Sequence, residues 1–214
     1  MYTLYWSPNS AALAPQICLE EAGAEYETRR VPINEVPEKD PGYLKLNPAG
    51  KVPTLVLGDG SGDGAVIYEA AAICLYLADR HKDAKLMPAG GDPALGTALQ
   101  WLVFRTNTLQ PSSLRFYYPE LHTAKGGDTG PLVECALAEI ATLWGRIDAH
   151  LAGRGPFFLG ARFCAADAFA YMLSNWQESC PGLADRFPNV ARLADAVRAR
   201  PSVQRILGEN ELAA

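Results

Sequence analysis

The stretch Asn47–Ala70, NPAGKVPTLVLGDGSGDGAVIYEA, decides the fold. It reads as loop, strand, glycine-rich turn, strand and helix start, with Val52-Pro53 at the head of the first strand. A proline has no N–H for a sheet ladder, so at a strand's first residue it belongs to an edge or a loop. The N–H and C=O of the residue before it are then free to pair with an incoming extended peptide, as an added strand would. Glu69 falls where Tyr68 gives way to a helix, and a helix N-terminus is a ready site for a carboxylate. Backbone pairing beside a carboxylate site suits a small anionic peptide.

Outward from that stretch, strands and helices alternate. Tyr2–Tyr5 reads as a strand, and Ala11–Ala22 as a helix closed by Gly23. Ala14, Ile17 and Cys18 form the apolar stripe of that helix, and Pro15 requires its first turn to lie there. Tyr26–Val31 is a second strand, and a loop rich in proline and acid follows from Pro32 to Pro41. A short helical piece around Tyr43–Leu46 precedes the hairpin Thr54–Leu57 and Ala65–Tyr68, and Glu69–Asp79 is a helix. A β-α-β unit followed by β-β-α is the thioredoxin-like order. Residues 81–92, with Pro88, Gly90 and Gly91, read as a linker. Beyond them the pattern is helical. Ala94, Ala98, Trp101, Leu102 and Arg105 mark one long helix ended by Pro111, and Val133, Leu137, Ile140, Trp144 and Ile147 mark another, with Gly153 past its end. Ala165–Trp176 and Val190–Ala199 complete the set. The expected class is α+β: a thioredoxin-like domain over 1–80, a linker over 81–92 and an all-helical domain over 93–214.

A net charge of −5 argues against nucleic acid, which wants a basic footprint. Arg186, Arg192, Arg198, Arg200 and Arg205, interleaved with Asp185 and Asp195, read as a solvated helix face. The strand-like YTLYW directly after Met1 leaves no secretory signal in view, and no apolar run reaches membrane-span length. Five scattered cysteines without a C-x-x-C suit a reduced, cytoplasmic protein.

NPAGKVPTLVL followed by IYEAAAICLYLADR resembles the glutathione-binding half of a glutathione transferase, and FFLGARFCAADAFA resembles that family's helical domain. YWSPNSAALAPQICLEEAG is most similar to the bacterial beta-type branch (SPxxCSLAPxIxLEEAG), yet Ala11 and Ala12 stand where that branch has cysteine and serine. The resemblance implies a cis proline at Pro53, glutathione as co-substrate, no metal and a homodimer. Val52 would pair its backbone with the cysteinyl unit, Glu69 would meet the γ-glutamyl amino group, the Ala70 N–H would take its carboxylate, and Lys51 would neutralise the glycine carboxylate. Asp167 would cap a helix reciprocally, although Cys164 replaces the usual Ser or Thr and is a poor cap. A second substrate, a small hydrophobic electrophile, would lie between the domains against Asn107, Gln110, Arg115, Phe116 and Tyr117.

With the cysteine gone, thiol activation falls to a neighbour at the first strand–helix junction. Lowering a thiol pKa from ~8.5 to ~6.5 takes about 2.7 kcal/mol. One hydrogen bond to the charged form contributes roughly 1.5–3 kcal/mol, and a helix N-terminus roughly 0.3–1 kcal/mol. One donor would suffice. Ser10 and Asn9 are the candidates, with Tyr5 matching the catalytic tyrosine of other branches; Ser10 is also a natural helix cap, and Asn9 a turn residue.

Two other motifs fail on context. Gly58–Gly64 (GDGSGDG) imitates a phosphate loop but is followed by a strand, and as a calcium loop its twelfth position falls on Ala70 rather than Glu69. A wide hairpin turn is the expectation. His81, His122 and His150 have no ligand spacing and read as solvated. Two functions stay open: an enzyme conjugating glutathione to an electrophile, and a non-catalytic module of the same fold used for ligand carriage or assembly.

Overall fold

A computed structural model describes residues 1–32, 40–58 and 64–207. The acidic loop after Pro32 and the GDGSGDG turn lie largely outside the described residues. The chain divides into two compact units, one of Met1–Gly90 joined by the chain from Arg198 onward, the other of Gly91–Val197.

The first unit is built on a four-stranded sheet of order β2-β1-β3-β4: β1 (Tyr2–Trp6), β2 (Tyr26–Arg30), β3 (Thr54–Leu57) and β4 (Val66–Tyr68). β1 runs parallel to β2 and antiparallel to β3, and β3 pairs antiparallel with β4. β2 is an edge strand whose outer residues, Glu27, Thr28, Arg29 and Arg30, are exposed, and its charges suit an edge left open to water. Helix α1 (Leu13–Glu21) is buried from Leu13 to Leu19. Pro15 sits in its first turn, where the missing N–H has no intrahelical partner to lose. Asp40 caps α2 (Pro41–Leu46) by accepting the Gly42 N–H at 2.8 Å, with Pro41 in the first turn. Helix α3 (Ala70–Arg80) buries Ala70, Ile73, Cys74, Leu77 and Ala78, a helical stripe, and packs on α1. This is the thioredoxin-like arrangement.

Helix α10 (Pro201–Ile206) also packs on α1. The Arg200 guanidinium donates to both Glu21 carboxylate oxygens at 2.7 and 2.6 Å, Ser202 donates to the same group, and Arg205 meets Glu20 at 2.7 Å. These arginines clamp the terminal segment to α1, correcting the expectation of a purely solvated face. Arg192 likewise donates to the Leu151 and Gly155 carbonyls. No composition pattern encodes these pairings, because their partners are distant in sequence.

The second unit is helical: α4 (Ala94–Phe104), α5 (Gln110–Tyr117), α6 (Gly130–Leu151), α7 (Ala165–Ser174), the short α8 (Leu183–Arg186) and α9 (Pro188–Arg198). The expected stop at Pro111 is not there. Arg105–Leu109 form a π-helical segment joining α4 to α5, and Pro111 enters as a first-turn residue of α5. A widened turn relieves the carbonyl clash that a proline brings to a continuing α-helix. At α7, Asp167 accepts the Cys164 N–H at 2.7 Å and the Phe158 N–H at 2.8 Å, and the box with Cys164 is reciprocal despite the sulfur. No helix among the described residues is long and apolar enough to cross a membrane.

Candidate functional site

Strand register brings three segments to one end of the first sheet. Tyr5 pairs with Thr54 across β1 and β3, and Thr54 pairs with Tyr68 across β3 and β4. Val52-Pro53, just before Thr54, therefore lies beside the β1–α1 loop on one flank and beside Glu69-Ala70 on the other. The Val52–Pro53 peptide bond is cis. Val52 and Pro53 are buried, and neither the N–H nor the C=O of Val52 is hydrogen-bonded among the described residues. Lys51 is exposed.

Glu69 is exposed and stands at the N-cap of α3 with φ 76° and ψ 110°, a region that side chains disfavour. Its carboxylate makes no capping hydrogen bond. The Ala70 N–H is a first-turn donor of α3, one of the amides that a helix leaves without an internal partner.

The β1–α1 loop separates the three thiol-side candidates. The Ser10 hydroxyl donates to the Ser7 carbonyl at 2.6 Å and accepts the Ala12 N–H at 3.3 Å. A serine has one proton, and here it holds the turn that launches α1. Asn9 is exposed in the left-handed region at φ 49°, and its side-chain amide has no partner among the described residues. Tyr5 packs its ring on Tyr43 with centroids 5.4 Å apart, and its oxygen receives the Arg29 guanidinium at 3.4 Å. Together with Leu46 it borders the small buried cluster of Val31, Tyr43 and Val52. Ala11 and Ala12 are buried.

Tyr43, Asn47 and Thr54 carry no motif that marks them in sequence, beyond the asparagine and threonine flanking AGKVP. All three are buried next to Val52, at 4%, 2% and 0% exposure.

The residues expected to line a second-substrate pocket all fall in the helical unit. Asn107 is exposed on the π segment, and Gln110 opens α5. Arg115 is ion-paired with Glu139 of α6, and Ser112 donates to the same carboxylate at 2.9 Å. The guanidinium thus joins α5 to α6. Phe116 and Tyr117 meet edge to face at 5.0 Å, and Tyr117 meets Trp176 at 6.1 Å. Burial pushes the Tyr117 phenol above its ordinary range.

Two of the three histidines are not simply solvated. His81 is hydrogen-bonded to the Tyr2 hydroxyl at 2.9 Å. His150 lies between Trp101 and Phe158, at 4.6 and 5.7 Å between ring centroids, and burial lowers its pKa. No group of three metal-ligating side chains occurs among the described residues.

A strand edge with an unpaired main chain, an acid at positive φ at a helix start and a polar loop thus meet at one end of a thioredoxin-like sheet. Residues 6–80 match the family model "Glutathione S-transferase, N-terminal domain", and residues 118–209 match "Glutathione S-transferase, C-terminal domain". Glutathione S-transferase GST-4.5 of Xanthomonas campestris is 31% identical over 179 residues, covering 81% of each chain. The bacterial beta class glutathione S-transferase of Sphingomonas chungbukensis superposes with a TM-score of 0.82 at 27% identity, covering 99% of this chain and 100% of that one. A sphingomonad glutathione S-transferase complexed with glutathione gives 0.79 at 28% identity over 99% and 100% of the chains. The chain belongs to the glutathione S-transferase family.

Proposed function

We propose that this protein binds glutathione at the sheet end formed by Val52, Pro53, Glu69 and Ala70 and conjugates its thiolate to a small hydrophobic electrophile. One observation carries the reading: strand register sets an unpaired Val52 main chain beside an exposed carboxylate at a helix start. An extended γ-glutamyl peptide offers the matching groups. Its cysteinyl amide and carbonyl pair with Val52, its α-amino group meets Glu69, and its α-carboxylate takes the Ala70 N–H. Lys51 stands ready for the glycine carboxylate. The relative complexed with glutathione supports this assignment.

The thiol then faces the β1–α1 loop. Asn9 is the better donor to the thiolate, because the only Ser10 proton is spent on the Ser7 carbonyl. A side-chain amide carried by the left-handed turn of the β1–α1 loop stabilises the charged form and lowers the thiol pKa. The electrophile is taken up by the helical unit near Asn107, Gln110, Phe116 and Tyr117, and the working species is a cytoplasmic homodimer. The test is calorimetric titration with glutathione, followed by conjugation assays on aryl halides and enones. Tight binding with turnover is the expected result. Binding without turnover would make the protein a glutathione-fold carrier, and no heat at millimolar glutathione would overturn the site.

A further inference from the structure

Beneath the Val52 edge lies a closed set of hydrogen bonds in which every proton can be assigned. The Tyr43 hydroxyl donates to the Lys51 carbonyl at 2.6 Å, and one Asn47 amide proton reaches the same oxygen at 2.8 Å. The second Asn47 proton goes to the Thr54 hydroxyl oxygen at 3.1 Å. Tyr43 and Thr54 oxygens are 2.8 Å apart. Since the single Tyr43 proton is on Lys51, Thr54 must donate to Tyr43. Asn47 completes the set by accepting the Ala49 N–H at 3.1 Å. Both lone pairs of the Lys51 carbonyl are therefore filled from the buried side.

We infer that Tyr43, Asn47 and Thr54 are positioning residues that aim the Val52 N–H at the cysteinyl carbonyl of glutathione. The link is the geometry of one peptide unit. The Lys51 carbonyl and the Val52 N–H belong to the same plane, and across a trans bond they point in opposite directions. Two buried donors pull the carbonyl inward, so the N–H is turned outward. It has no other hydrogen-bond partner among the described residues. Tyr43 also carries the ring of Tyr5 at 5.4 Å, so the same phenol sits under the peptide edge and against the end of β1. Thr54 ties the network to the sheet through its pairing with both Tyr5 and Tyr68. The inference rests on glutathione as the ligand of this edge.

The test compares glutathione affinity, by calorimetry, in Tyr43→Phe, Thr54→Val and Thr54→Ser, with Lys45→Gly as control. Lys45 is exposed on α2, so its replacement by glycine loosens that helix without touching the network. Tyr43→Phe and Thr54→Val should each weaken glutathione by roughly threefold to tenfold, the effect of one neutral hydrogen bond. Thr54→Ser keeps the hydroxyl and should restore the parent affinity, and Lys45→Gly should bind as the parent does even where its melting temperature is lower. At saturating glutathione, turnover in all four should match the parent, because the network acts on binding and not on the thiol. Parent affinity in both Tyr43→Phe and Thr54→Val would overturn the network while leaving glutathione binding intact. Equal weakening in Lys45→Gly would reduce the role to fold stability. A parent chain that gives no heat with glutathione overturns the functional reading and this inference together.

Discussion

A residue other than glycine at φ 76° and ψ 110° costs roughly 1–3 kcal/mol, and Glu69 holds that conformation at an exposed position. Its carboxylate makes no capping hydrogen bond among the described residues, and the proposed hold on the γ-glutamyl amino group gives the strained position a use. Glu69→Gly should therefore stabilise the fold by roughly 1 kcal/mol while weakening glutathione, and thermal denaturation beside titration reads both. A lower melting temperature in this variant would show that the backbone there is not strained. Asn9 and Ser10 divide in the same way. Asn9→Gly keeps the left-handed turn and removes the amide, so the bound thiol's apparent pKa should rise and the rate at neutral pH fall about tenfold to a hundredfold. Ser10→Ala should instead cost roughly 0.5–2 kcal/mol of stability through the lost turn and leave the thiol titration in place. The reverse outcome would return the donor role to Ser10. Sequence alone leaves these two open, because serine and asparagine suit both a turn and a thiolate; only the Ser7 carbonyl, 2.6 Å from the Ser10 oxygen, separates them.

The clamp of α10 on α1 is where charge acts on stability. Burial raises the Glu21 carboxyl, but hydrogen bonds from Arg200 and Ser202 outweigh it and hold the group below its ordinary range. A carboxylate with a depressed folded-state pKa binds fewer protons folded than unfolded. Its contribution is therefore full at neutral pH and is lost as the pH falls through the ordinary glutamate range toward the folded value. Glu21→Gln should cost roughly 1–3 kcal/mol at pH 7, with the gap to the parent closing in acid, measured by urea denaturation across pH. At α7 the sign reverses. Burial pushes Asp167 up to about 6 although the Phe158 and Cys164 amides bond to it, so its contribution declines as the pH rises from the ordinary aspartate range through that value. Element boundaries were readable where a breaker closes a period, as Gly23 does after α1, whereas Pro41, read as the end of a loop, in fact opens α2. They were not readable where packing overrides a breaker, as at Pro111, or where an arginine in an apolar stripe is drawn wholly inside. Arg105 is that case. It is 0% exposed, with its guanidinium 4.1 Å over Phe158 and a bond to the Ala166 carbonyl at 2.7 Å, and burial lowers its pKa to about 10.

Across the whole molecule, the thioredoxin-like order and the helical region that follows it were legible because each keeps its own period, alternating strands first and helical stripes after, while the return of the chain from Arg198 to the first unit was not. The strand edge at Val52-Pro53 and the helix start at Glu69 could also be read as places in the fold, since proline and helix-start chemistry act locally. The clamp, the π segment and the buried polar set beneath Val52 could not, because each depends on residues brought together only by folding. Light scattering should give a species of twice the 23.1 kDa chain, and a monomer across the micromolar range would contradict the homodimer. The return of α10 to α1 also has a consequence for synthesis. The first unit is discontinuous in the chain: its sheet is encoded before Gly91, yet Arg200, Ser202 and Arg205 lie beyond Val197. As the polypeptide leaves the ribosome, Glu21 must wait on α1 without Arg200 and Ser202, and Glu20 with the Tyr26 hydroxyl but without Arg205, until the whole of Gly91–Val197 has emerged. The domain that starts first is thus completed last, and the helical unit has the opportunity to fold in the interval.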